Sequence, residues 1–184
     1  MCFYKQGPHD GLCGFIAVLN AFRILEHGAD HEFACDNDHE FFDEAVEALA
    51  RVPGVDIRIL RGNPAVGGID QFQVRDLAMV LAERIAFPIA VTLANAKTSF
   101  ASRYRKLLAT TDSFAVIVPY RDHSHWITIA PKDRTFYYLI DEGEAHPIAL
   151  RGGNGPKLAN DVAIVLTAVK CGPRQRSHGL GEEC

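Results

Sequence analysis

The apolar positions change period part-way along the chain. Over residues 14–26 they fall at Phe15, Ile16, Val18, Leu19, Phe22 and Leu25, a wide stripe with the 3.6-residue repeat of a helix facing a core. Residues 36–52 (DNDHEFFDEAVEALARV) open on Asp and Asn and stop at Pro53-Gly54, start and stop signals that predict a second helix. A third is predicted over 70–85 (DQFQVRDLAMVLAERI), halted before Phe87-Pro88, and a fourth over 98–109 (TSFASRYRKLLA), capped by Thr98 or Ser99. Short β-branched or aromatic runs then dominate, at 89–93, 114–119, 126–130, 135–140 and 162–169, bounded by Gly, Pro, Asp and Asn. Connections of about 4–6 residues between most of them suit antiparallel hairpins better than βαβ crossovers. Helices early and strands late predict an α+β domain, with N-terminal helices packed on a C-terminal antiparallel β-sheet. No repeat or interdomain linker interrupts the pattern, so residues 1–171 are expected to form one domain. The closing stretch 172–184, rich in Gly and charge, is expected to be a mobile tail.

Composition narrows the class. A chain of 184 residues can bury roughly 70% of the surface its unfolded form exposes, so it needs no metal or disulfide staple. Its 48% apolar and 23% charged residues are those of an ordinary soluble globular protein. A net charge of −4 with no Lys/Arg run argues against a nucleic-acid partner. The apolar runs are far shorter than the ~20 residues of a membrane span, and MCFYKQGPHDG has no secretory-signal pattern. A cytoplasmic fold is expected. The five cysteines (Cys2, Cys13, Cys35, Cys171 and Cys184) are odd in number and contain no CxxC pair, which suits neither a disulfide framework nor a zinc site. Reduced thiols, with no metal and no cofactor, are the expectation.

One thiol has a distinctive context. In QGPHDGLCGFIAVLNAF a turn-rich segment gives way to Cys13 at the start of the first apolar helix. A helix N-terminus favours a thiolate through its unsatisfied N–H groups and its dipole, and those same groups can hold a developing oxyanion. Gly14 is expected to leave room for a substrate carbonyl. The bland alternative, a cysteine used as a small buried hydrophobe, explains neither the turn-rich lead-in nor the flanking glycine.

A nucleophilic thiol needs an acid–base partner. Of the eight histidines, His27, His31 and His39 sit in polar, acidic surroundings, His178 in the tail, and His146 before Pro147 at an expected turn. His123 and His125, in RDHSHWITIA, stand at the mouth of a strand. His125 runs straight into the apolar strand and is the stronger candidate, because a rigid buried element holds catalytic geometry. The next strand, TFYYLID, ends at Asp141, a carboxylate able to fix the imidazole tautomer. With the hairpin centred on 131–134, residue 125 is expected opposite about residue 140.

These patches, Cys-Gly, then His-Trp, then YYLIDEGE, resemble papain-like cysteine peptidases. The resemblance is to compact bacterial members: leader-peptide peptidase domains of bacteriocin exporters and papain-fold effectors. It spans roughly residues 2–169, although its specific content is three short patches. It implies a papain-like fold in which Cys13 is the nucleophile, His125 the general base and acid, and Asp141 the orienting residue. It also implies that Gln6 donates its amide into the oxyanion hole, although Gln6 lies seven positions before Cys13, one more than is usual. The implied partner is a protein or peptide substrate, and the effector relatives imply delivery into a host cell without a cleavable signal peptide.

Fold alone does not choose the reaction. The same thiol site can cleave a peptide or isopeptide bond, deamidate a protein glutamine or transfer an acyl group. A non-catalytic binding module of the same fold is a third class. The sequence Leu150-Arg151-Gly152-Gly153, which matches the ubiquitin C-terminus, reads better as a Gly-rich loop before Asn154-Gly155-Pro156.

Overall fold

The structure, a computed structural model, describes residues 4, 11–27, 39–61, 67–95, 100–111, 113–120, 125–141, 144–149 and 162–169, with Asn95, Asp141 and Glu144 described by their backbone. Among the described residues, four α-helices, α1 (Cys13–His27), α2 (His39–Arg51), α3 (Gln71–Arg84) and α4 (Phe100–Thr110), accompany six strands. The strands are β1 (Ile89–Asn95), β2 (Phe114–Tyr120), β3 (His125–Pro131), β4 (Phe136–Asp141), β5 (Glu144–Ala149) and β6 (Val162–Ala168). They form one antiparallel sheet in the order β1-β6-β2-β3-β4-β5. Helices early and an antiparallel sheet late is the layout that the hydrophobic pattern predicts.

The sheet separates two cores. On one face α1 lies against β2 and β3, with α2 and α3 completing the layer; Trp126, Ala130, Ile140 and Ile164 face it from the sheet. Residues Gly14 to Leu25 of α1 are all buried, as befits a helix enclosed between sheet and helices. On the other face Phe100 and Tyr104 of α4 pack on Phe114, Val116, Ile127, Ile129 and Tyr137. Because both faces are covered, β2 is buried from Phe114 to Pro119 without alternation. Helices thus flank the sheet on both sides, whereas the sequence pattern does not assign α4 to a face of its own.

Two local expectations change. Residues 144–149 form the edge strand β5, with His146 paired to Leu139 and Pro147 to Tyr138. The sequence suggests a turn there; an edge position tolerates the proline because one side of the strand needs no ladder N–H. The β3–β4 hairpin is also displaced. Its register pairs Thr128 with Ile140 and Pro131 with Tyr137, about three residues away from a hairpin centred on 131–134. The cause is the Asp133 carboxylate, which accepts hydrogen bonds from Thr135 N, Thr135 Oγ1 and Phe136 N at 2.6–2.7 Å and so builds the turn late.

Candidate active site

The site is organised around the start of α1. Gly11 makes the preceding turn with φ of 69°, a left-handed conformation that glycine adopts without strain. Leu12 stands at the N-cap: its carbonyl accepts from Ile16 N at 2.9 Å. Its apolar side chain cannot turn back to cap the first-turn N–H groups, as Ser or Asp would. Cys13 is therefore the first helical residue, half-buried and not in a disulfide.

Cys13 opens on a cavity of about 590 Å³. Gly11 and Gly68 form one wall, and their backbones approach so closely that a Cβ on Gly68 would lie 3.3 Å from the Gly11 carbonyl oxygen. A second wall is the start of α3, Asp70, Gln71 and Phe72. Asp70 caps α3 by accepting from Phe72 N and Gln73 N, and Gln73 Oε1 in turn accepts from Asp70 N at 2.9 Å, a reciprocal capping box that fixes this wall. Phe72 is half exposed at the rim, with the Arg75 guanidinium 5.7 Å from its ring centre. Pro119 and Trp126, paired across β2 and β3, close the cavity from the sheet.

Two buried bonds tie β3 to the other walls. The Trp126 indole Nε1 donates to the Ile69 carbonyl at 3.1 Å, and Thr128 Oγ1 donates to the Ala17 carbonyl within α1 at 2.8 Å. Gly14 does something other than admit a substrate. A Cβ there would lie 2.6 Å from Ile69 and 2.9 Å from Val74, so the missing side chain lets the α3 layer pack onto α1. The sequence expectation of open space at Gly14 is corrected accordingly.

The remaining expected site residues are placed as follows. His125 begins β3, half-buried, opposite Tyr120, with the two rings edge to face at 6.4 Å between centres. Its strand neighbour Trp126 lines the Cys13 cavity; among the described residues His125 does not. Strand alternation accounts for this, since Trp126 and Thr128 face α1 while Ile127 and Ile129 face the α4 layer. Asp141 closes β4 and pairs with Glu144. Continuing the hairpin register puts Asp141 opposite Ile127, a diagonal neighbour of His125 and not its direct partner; diagonal positions are about 7–8 Å apart. Gln6, His123 and the 150–153 stretch lie outside the described residues.

Sequence reasoning missed the walls: Gly11, Gly68, Asp70–Phe72 and Pro119. Their signals were present. Gly67-Gly68 precedes a D-x-x-Q capping box, but nothing in linear order shows that the start of the third helix meets the start of the first.

No protein-family model and no curated protein matches the sequence. Among solved structures, the chain is similar to the crystal structure of a double glycine motif protease from an AMS/PCAT transporter in complex with the leader peptide. The similarity covers 91% of each chain with a TM-score of 0.49 and 10% sequence identity. No helix among the described residues is long and apolar enough to cross a membrane.

Proposed function

We propose that this chain is a cysteine hydrolase that cleaves an amide bond of a peptide or protein substrate through an acyl-enzyme. The observation that carries the reading is the position of Cys13. It is the first residue of a buried helix and opens on a cavity closed by the strand that His125 begins. Helix N-termini stabilise a thiolate and the oxyanion that follows its attack.

In this mechanism the imidazole takes the Cys13 proton and the sulfur attacks the substrate carbonyl carbon. The tetrahedral oxyanion is held by first-turn N–H groups of α1, assisted by the Gln6 amide. Collapse breaks the C–N bond as the imidazolium protonates the departing amine. Water, deprotonated by the same imidazole, then attacks the thioester, releasing the acid and restoring the thiol. This role requires the His125 ring, which stands edge to face with Tyr120, to turn toward Cys13, with Asp141 orienting it. His123, two residues earlier, is the competing base.

Intact-mass analysis of a peptide pool incubated with the protein tests the reaction. Hydrolysis yields fragments whose masses sum to a parent plus one water, and Cys13→Ala yields none. An intact peptide that gains only the mass difference between an amide and an acid would replace hydrolysis with deamidation. A pool left unchanged by the wild type, or cut equally by Cys13→Ala, contradicts the proposal.

A further inference from the structure

The strand that His125 begins is locked to the helix that carries Cys13 by a buried side-chain bond. Thr128 is fully buried, and its hydroxyl donates to the Ala17 carbonyl at 2.8 Å. The two ends of this bond are set close to the chemistry. Ala17 lies one helical turn beyond Cys13 on the same helix face, about 6 Å along the axis. Thr128 lies three residues beyond His125, about 10 Å along an extended strand. The remaining contacts between α1 and β3 come largely from apolar side chains such as Phe15, Trp126 and Ala130, and apolar packing resists separation better than it resists sliding, because it lacks direction. A hydrogen bond with defined length and angle resists both.

We infer that Thr128 is a positioning residue of the thiol site: its bond to Ala17 sets the register of β3 along α1 and thereby the reach from Cys13 to the imidazole. Trp126 acts in parallel at the same strand face. Its indole N–H holds the Ile69 carbonyl, so alternate residues of β3 secure the nucleophile's helix and the wall that carries Gly68. This assignment rests on the thiol–imidazole reading above.

The test is the rate at which iodoacetamide alkylates Cys13 in the full chain, read by peptide mapping at mildly acidic pH. Thr128→Val preserves shape and removes the donor; Thr128→Ser restores the donor and drops the methyl group. Val116→Ala, buried on the opposite face of the sheet, supplies a variant weakened elsewhere. Thr128→Val is expected to slow alkylation about tenfold, the scale of a modest misplacement of reacting groups. Thr128→Ser and Val116→Ala are expected to stay near the wild-type rate. An unchanged rate in Thr128→Val overturns the positioning role while leaving the thiol reading intact, and so does an equal loss in Val116→Ala. A slow rate in Thr128→Ser as well as Thr128→Val also overturns it, because lost packing then accounts for both. If wild-type Cys13 reacts no faster than in the urea-unfolded chain, the thiol reading fails and the Thr128 role fails with it.

Discussion

The two faces of the sheet are closed in different ways. The face toward α4 is closed by aromatic contact: Tyr104 meets Phe100, Phe114 and Tyr137 with ring centres 5.8 Å apart in each pair. The Tyr104 hydroxyl donates to the Phe136 carbonyl at 2.9 Å and accepts from Lys132 N at 3.0 Å, so its polar end is satisfied as well. The face toward α1 is equally buried at its centre, yet at one end it stops at a cavity and is crossed by backbone-directed bonds from Trp126 and Thr128. Filling both faces with interlocking rings would maximise burial. Leaving one end of one face open sacrifices packing where a half-buried thiol sits, a deviation expected at functional sites.

Substitutions can break this contrast in order of expected effect. Cys13→Ala should abolish turnover, by roughly 10⁴-fold or more as for loss of a catalytic nucleophile, while leaving the thermal midpoint nearly unchanged. Tyr104→Ala should do the reverse. It should cost about 3–5 kcal/mol of stability, as for other buried aromatic truncations, measured by urea unfolding, with alkylation of Cys13 in the folded fraction unaffected. If Tyr104→Ala slowed alkylation as much as it lowered stability, the two faces would not be separable.

Gly14→Ala probes the seam. The added methyl meets Ile69 and Val74 below 3 Å, and overpacking of this kind costs about 1–3 kcal/mol; calorimetry should find a lowered midpoint together with a disturbed cavity wall. A smaller effect concerns pH. Burial pushes the Tyr104 and Tyr137 hydroxyls up from 10.0 to about 12. Their neutral forms are favoured in the folded state, so this contribution is fully present below pH 10 and is lost as pH rises from 10 to about 12. Tyr104→Phe should therefore flatten the alkaline fall in stability, and phenolate absorbance in the wild type should rise together with unfolding. The least effect belongs to Arg84, whose guanidinium bridges Glu44 and Glu47 of α2 at 2.5–2.7 Å. Glu47 is exposed and Glu44 partly so, and Arg84→Met should lower the urea midpoint least of these variants, with the difference shrinking as salt is added.

Much of this was legible in the sequence, for reasons that differ by element. The periodic stripe of α1, the stop signals after α2 and α3 and the apolar run of β2 each record a local physical requirement, so those elements appear where the pattern puts them. Cys13 was legible because a turn-rich segment meeting an apolar run marks a helix start. What escaped were features set by distant partners. The face that α4 covers depends on Tyr104 finding Phe136 and Lys132. The β3–β4 register depends on which residue of Pro131-Lys132-Asp133-Arg134 builds the turn, and the Asp133 carboxylate decides it. Gly14 looked like room for substrate because the sequence does not show Ile69 arriving there. His125 was legible as the opening of a strand, but the direction of its ring depends on its partner Tyr120.

The central claim, that Cys13 is a nucleophile served by an imidazole from the mouth of β3, is tested most directly by alkylation with iodoacetamide at mildly acidic pH. Wild-type protein, His125→Ala and His123→Ala are compared, with each cysteine quantified by peptide mapping. Cys13 is predicted to label ahead of Cys2, Cys35, Cys171 and Cys184, and His125→Ala to slow it by about 10²-fold with His123→Ala near the wild type. Equal labelling of all five thiols, or a Cys13 rate that neither histidine variant alters, would contradict the account.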